Sequence, residues 1–192
     1  MLRLATRSLH TSRRALSQAP SAERAVPSEA AAAARKAVLD TGYDEPSLHE
    51  QPVVWGDLDS FRHVNNVRYV RYFESGRIKW MSALGERVGG ADKARDMLAG
   101  RGVSLILKSI KVDFKRPVTY PDTLLIAHRV QSWTEHRLDL YSIAYSYVQQ
   151  RVVTESLSVC VWYDYDQLAK STIPPNIRRV LNGEGDSELR AR

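Results

Sequence analysis

Asp57 and Asp59 stand on either side of Leu58, and His63, Asn65 and Asn66 follow just before a long run with helical spacing. A carboxylate can attack an electrophilic carbon or take a proton from water. An imidazole can orient the water or the group attacked, and the unpaired N–H groups at a helix start can hold a developing oxyanion. The residue types alone leave a second reading open, since Asp commonly ends a strand and caps a turn, and a turn histidine commonly bonds a backbone carbonyl. Asp57 is read as structural, and Asn65 as a cap for the helix. Farther along, Glu74 and Arg77 have the spacing of a local ion pair. Arg77 also falls on the apolar stripe of the helix, where an unpaired guanidinium is costly, so it should meet a carboxylate or a subunit boundary. The single cysteine, Cys160, lies between Val159 and Val161 and reads as a core thiol. It allows no intramolecular disulfide and no Cys-rich metal site.

The elements that must position these residues are legible from periodicity. A strand over 51–56 ends in the acidic turn 57–60, and a helix capped by Asn65 or Asn66 follows. Its buried face is expected to carry Val70, Phe73, Arg77, Trp80 and Leu84, with Arg68, Arg71, Ser75, Lys79 and Ser82 opposite. Gly85 and the pair Gly89-Gly90 are expected to end it. Four strands are expected after that, over 103–114, 123–133, 137–149 and 152–163, punctuated by Pro117, Pro121-Asp122, the turn at 134–136 and the turn at 149–151. The order predicts an α+β domain in which a curved, antiparallel, five-stranded sheet wraps one long helix. With no second helix for the outer face and an open edge strand, pairing with another copy is expected.

Length allows one domain with a full core, here expected over 48–183. With 43% hydrophobic and 26% charged residues, a chiefly disordered or fibrous chain is excluded. No apolar run is long enough for a membrane-spanning helix. Most of the net charge of +6 comes from Arg3, Arg7, Arg13 and Arg14, ahead of the first acid, Glu23. That segment, residues 1–22, is rich in Ser, Thr and Leu and lacks a continuous apolar core, the composition of a mitochondrial transit peptide. The remainder is nearly balanced, so no nucleic-acid partner is expected. Residues 23–47 read as an Ala-rich linker and 184–192 as a polar tail.

The stretch VVWGDLDSFRHVNNVRYVRYFESGR resembles the signature of hotdog-fold acyl-CoA thioesterases of the 4-hydroxybenzoyl-CoA thioesterase type. The likeness continues through VDFKRPVTYPDTLLI and STIPPNIRRVL. The tol-pal-linked bacterial thioesterases and the plant acyl-ACP thioesterases share the Asp-to-His spacing, although the plant enzymes have Asn where this chain has Phe61. The resemblance implies a hotdog fold and hydrolysis of an acyl-CoA, with acyl-ACP as the second choice, to a free acid and a thiol in mitochondria. It implies Asp59 as base or nucleophile, with His63 and the Asn66 backbone N–H completing the catalytic set. Asn65, Tyr69, Lys108, Lys111 and Arg116 are candidates to bind substrate; Lys108, Lys111 and Arg116, with Lys115, either meet the CoA phosphates or form a solvated strand face. It implies a site shared between protomers of a homodimer or homotetramer, and neither metal nor other cofactor. The contrasting reading is a non-catalytic hotdog protein that binds acyl thioesters or serves in a mitochondrial assembly.

Overall fold

The computed structural model describes residues 29–183, so the basic leader and the polar tail lie outside the described residues. The chain order is α1 (Glu29–Leu39), β1 (His49–Pro52), α2 (Asn66–Ala99), β2 (Val103–Phe114), β3 (Thr123–Trp133), β4 (Arg137–Ser146), β5 (Arg151–Asp164), β6 (Ala169–Lys170) and α3 (Pro175–Leu181). The sheet is antiparallel in the order β1-β3-β4-β5-β2, with the two-residue β6 added beside β5. This is the expected curved sheet around one long helix. β1 begins and ends earlier than the sequence reading placed it, because Trp55–Asp57 tighten into a 3-10 turn.

Side chains of alternate strand residues meet α2. Phe73 packs with Leu124, Ile126 and Ala144 at one end, and Trp80, Met81 and Leu84 pack with Leu138, Leu140 and Trp162 at the other. Each large apolar side chain buried this way contributes about 1.5–3 kcal/mol. The helix lies very close to β3 where Gly76 crosses it: a Cβ there would sit 2.5 Å from Ile126 Cγ2 and 2.8 Å from His128 Cε1. In β5 the face turned to α2 carries Thr154, Ser156, Ser158 and Cys160, all buried, while Leu157, Val159 and Val161 are only half-buried on the outer face.

Three details differ from the sequence reading. The buried face of α2 begins with Tyr69 and Tyr72, whereas Val70 is 43% exposed. A tyrosine can bury its ring and still satisfy its hydroxyl, as Tyr72 does by donating to Asp57 Oδ2 at 2.7 Å. Secondly, α2 continues through Gly85 and resumes after Gly89 and Gly90, where Gly90 has φ 74°. The second arm folds back so tightly that a Cβ on Gly85 would meet the Ala94 Cα at 2.5 Å. Thirdly, residues read as a linker are partly structural. Helix α1 and the segment after it place Val38, Tyr43 and Leu48 against Leu125, Ala127 and Ile143 on the convex face of the sheet. Part of that face is therefore covered within the chain itself. No described helix is long and apolar enough to cross a membrane.

Candidate active site

The turn between β1 and α2 is held by its own backbone. Asp59 N–H donates to the His63 carbonyl at 2.8 Å and Arg62 N–H donates back to the Asp59 carbonyl at 3.0 Å. Arg62 takes the left-handed conformation, φ 64°, that so short a return requires. The Asp59 carboxylate is fixed in the same turn: Oδ1 accepts from Phe61 N–H at 2.8 Å and from His63 N–H at 3.4 Å. Its Oδ2 has no hydrogen-bond donor among the described residues. The turn is tied to the rest of the domain by Val64 N–H, which donates to the Val118 carbonyl, and by Asn65 N–H, which donates to that of Asp57.

Asp57 has the structural role expected of it. It is 7% exposed, accepts from Val54 N–H and the Tyr72 hydroxyl through Oδ2, and pairs through Oδ1 with Arg68 Nε at 3.2 Å. Burial, reinforced by the Asp57 carboxylate, pushes the Tyr72 phenol far up, so it stays a donor. Arg68, expected on the wet face, also donates to the Gly56 carbonyl and so closes over the turn.

At the start of α2, Asn65 is the cap, and its side-chain oxygen accepts from Val67 N–H at 3.2 Å. Arg68 N–H donates to the Asn65 carbonyl. The Asn66 N–H is left without an acceptor among the described residues, at the positive end of a long helix. Asp59, His63, Asn66 and Tyr69 line one hollow of about 280 Å³, closed on the far side by Phe114, Lys115, Arg116 and Pro117. Tyr69 is 2% exposed and packs edge-on to Phe114 at 5.3 Å, so it forms the floor. Burial raises its phenol, and the Thr154 hydroxyl opposes the rise. Lys115 also meets Glu155 at 3.1 Å, which raises its pKa.

The remaining binding candidates lie elsewhere. Asn65 is half-buried and its oxygen is used by the cap, so it is not part of the hollow wall. Lys108 is exposed at the bulge where β2 slips against β5, and Lys111 pairs with Asp113 at 2.9 Å. A strand's side chains alternate faces, and neither lysine reaches the hollow that Arg116 does. The expected Glu74–Arg77 pair does not form: Glu74 accepts from Arg71, one turn back, and Arg77 lies under the helix at 9% exposure. Cys160 is a fully buried thiol that burial pushes up to about 11, in keeping with its reading as core. The Tyr72–Asp57 clamp and the Val118 anchor escaped the sequence reading. Both join residues far apart in sequence, and no spacing rule points to them.

Residues 53–181 match the family described as the thioesterase-like superfamily. A chloroplast acyl-acyl carrier protein thioesterase of Arabidopsis thaliana is 24% identical over 122 residues, which cover 64% of this chain and 60% of that protein. This chain thus spans less than two thirds of that relative's length. Among solved structures, a Pseudomonas aeruginosa protein described as a candidate thioesterase superposes with a TM-score of 0.59 at 25% identity, over 70% of this chain and 96% of its own. A Thermus thermophilus thioesterase solved with coenzyme A and zinc superposes with a TM-score of 0.55 at 20% identity, over 69% of this chain and 94% of its own. With the curled antiparallel sheet, the long enclosed helix and the match over most of the domain, the chain belongs to the thioesterase-like superfamily and has the hotdog fold.

Proposed function

We propose that the protein is an acyl-CoA thioesterase of the 4-hydroxybenzoyl-CoA thioesterase type, acting in the mitochondrial matrix as a homodimer or a pair of dimers. The observation that carries this reading is the hollow in which a backbone-fixed carboxylate, Asp59, shares walls with the unpaired N–H of Asn66. A thioester carbonyl seated there would turn its oxygen to the helix start, where one preorganised donor is worth roughly 10²- to 10³-fold in rate. Asp59 then either attacks the carbonyl carbon or takes the proton of a water that does so. In both cases the carbon–sulfur bond breaks and the thiolate takes up a proton and leaves as CoA; where Asp59 attacks, water then cleaves the acyl–Asp59 anhydride, which frees the acid and restores the carboxylate. His63 on the same wall is placed to orient the water or the carbonyl.

The cations at the rim, Lys115 and Arg116, suit the phosphates of coenzyme A, which the Thermus thermophilus protein carries. Assembly is supported by the open edge of β2 and by exposed apolar side chains in the segment that carries the turn and the start of α2: Trp55, Phe61 and Val67 are 77%, 79% and 70% exposed. The mitochondrial location rests on the basic leader. Incubating the purified protein with a panel of acyl-CoAs and matching acyl carrier protein thioesters, and following free thiol, tests the reading. Release from CoA thioesters at enzymatic rates is expected, and no release from any thioester would overturn it.

A further inference from the structure

Among the described residues, Arg77 is a buried cation without a counter-charge. It is 9% exposed, Nη1 has no hydrogen-bond acceptor, and among the described residues no carboxylate lies within ion-pair distance. Glu74, its nearest acid along the helix, is engaged by Arg71. Its charge is felt inside the domain, where it disfavours protonation of His128 and favours the ionised form of the Cys160 thiol. An arginine in such a place is strongly unfavourable until an acceptor joins it.

The buried face of the sheet also carries unpaired hydroxyls among the described residues. Ser142 on β4 is opposite Ser156 on β5, and Ser158 follows on the same face opposite Leu140. All three hydroxyls are buried without a hydrogen-bond partner among the described residues. A sheet face under a helix is ordinarily filled by branched aliphatic side chains, so three serines give a shallow floor of unused donors.

Arg77 also lines a hollow of about 420 Å³ along the seam between α2 and β2, where Ile78, Met81, Met97, Leu105 and Leu107 supply apolar walls and Glu74, already paired with Arg71, is the acid of the lining. The Asp59 hollow lies on the same seam nearer the helix start, bounded by Tyr69 and Phe114. Eleven residues separate Asn66 from Arg77, about 16 Å of axis, and helical side chains lean back toward the N-terminus, so the guanidinium lies roughly 10 Å beyond the oxyanion donor. That distance suits the length of a medium acyl chain.

We propose that Arg77 is the far end of the acyl subsite, and that the preferred substrate is the CoA thioester of a dicarboxylic acid, its free carboxylate bound by Arg77. This rests on the thioesterase reading. The planar guanidinium matches a carboxylate in two parallel hydrogen bonds, and the apolar walls take the methylenes between the two ends.

The test compares octanoyl-CoA with the CoA monothioester of octanedioic acid, by hydrolysis and, with their non-hydrolysable thioether analogues, by calorimetry. The intact protein should favour the carboxylated compound by about ten- to a hundredfold, the value of a charge-assisted hydrogen bond. Arg77→Met should bring that ratio to one or below. Arg77→Lys, which keeps the charge and loses the fork, should retain part of it and serves if the methionine variant does not fold. Equal treatment of the two compounds by the intact protein, or a preference that survives both substitutions, would overturn the proposal. So would an Arg77→Met protein that sediments as a smaller species with its preference unmoved, since the guanidinium would then be pairing with a partner subunit's carboxylate. If neither thioester is hydrolysed, the wider panel of acyl thioesters decides the thioesterase reading, and calorimetry decides the subsite alone: tighter binding of the carboxylated analogue keeps it, and equal binding removes it.

Discussion

Asp57 spends both carboxylate oxygens inside the protein, on Tyr72, Val54 and Arg68, whereas Asp59 anchors only Oδ1 and lines the hollow. The substitution Asp59→Asn should therefore abolish thioester hydrolysis with fold and assembly intact, because the amide keeps the shape but neither attacks nor accepts a proton. Thiol release and a circular-dichroism melt measured on the same sample check this, and near-native rates would remove Asp59 from the mechanism. The opposite pattern is expected at the clamp. Tyr72→Phe leaves Asp57 one donor short and should lower stability by about 1–2 kcal/mol in denaturant unfolding. It should change turnover far less than Asp59→Asn does. The Asp59 corner was legible because its parts lie within one short stretch whose motif is specific. Asp57 could be read as structural, but not its partner Tyr72, fifteen residues away across the turn.

At the scale of elements, four long strands and the helix start were legible because alternation and the Asn cap are local signals. The faces were harder. In β5 Thr154, Ser156, Ser158 and Cys160 face α2 while Leu157, Val159 and Val161 lie on the outer face, so alternation marks the strand but not which of its sides is buried. His128 lies where Gly76 brings α2 close to β3. Burial, with the Arg77 charge second, lowers its pKa from 6.5 to about 3. The unfolded chain takes up a proton below about pH 6.5 that the folded protein refuses, so stability is lost as pH falls from there toward the folded value. Denaturant unfolding should show His128 costing the protein about 2 kcal/mol between about pH 7 and about pH 5. His128→Asn should flatten that part of the profile. An unchanged acid slope in the variant would mean that other groups set it.

For the whole molecule, the leader and the assembly are separate questions. A chain lacking residues 1–22 should fold normally and fail to enter mitochondria in an import assay; import at normal efficiency would dispose of the transit-peptide reading. Sedimentation at micromolar concentration should show a dimer at least, because β2 leaves twelve residues of strand edge open beside the site. An active monomer would count against a shared site. The covering of the convex face by α1 was not legible, since an Ala-rich stretch followed by Gly42 and Pro46 has the composition of a linker and only packing shows otherwise. That covering bears on stoichiometry. Two closed pairs could stack back to back only through convex surface that is still bare, and over β3 and β4 it is already occupied by Val38, Tyr43 and Leu48. Convex surface free for such back-to-back contact is then left on the β5 and β2 half, where Leu157, Val159 and Val161 remain half-buried.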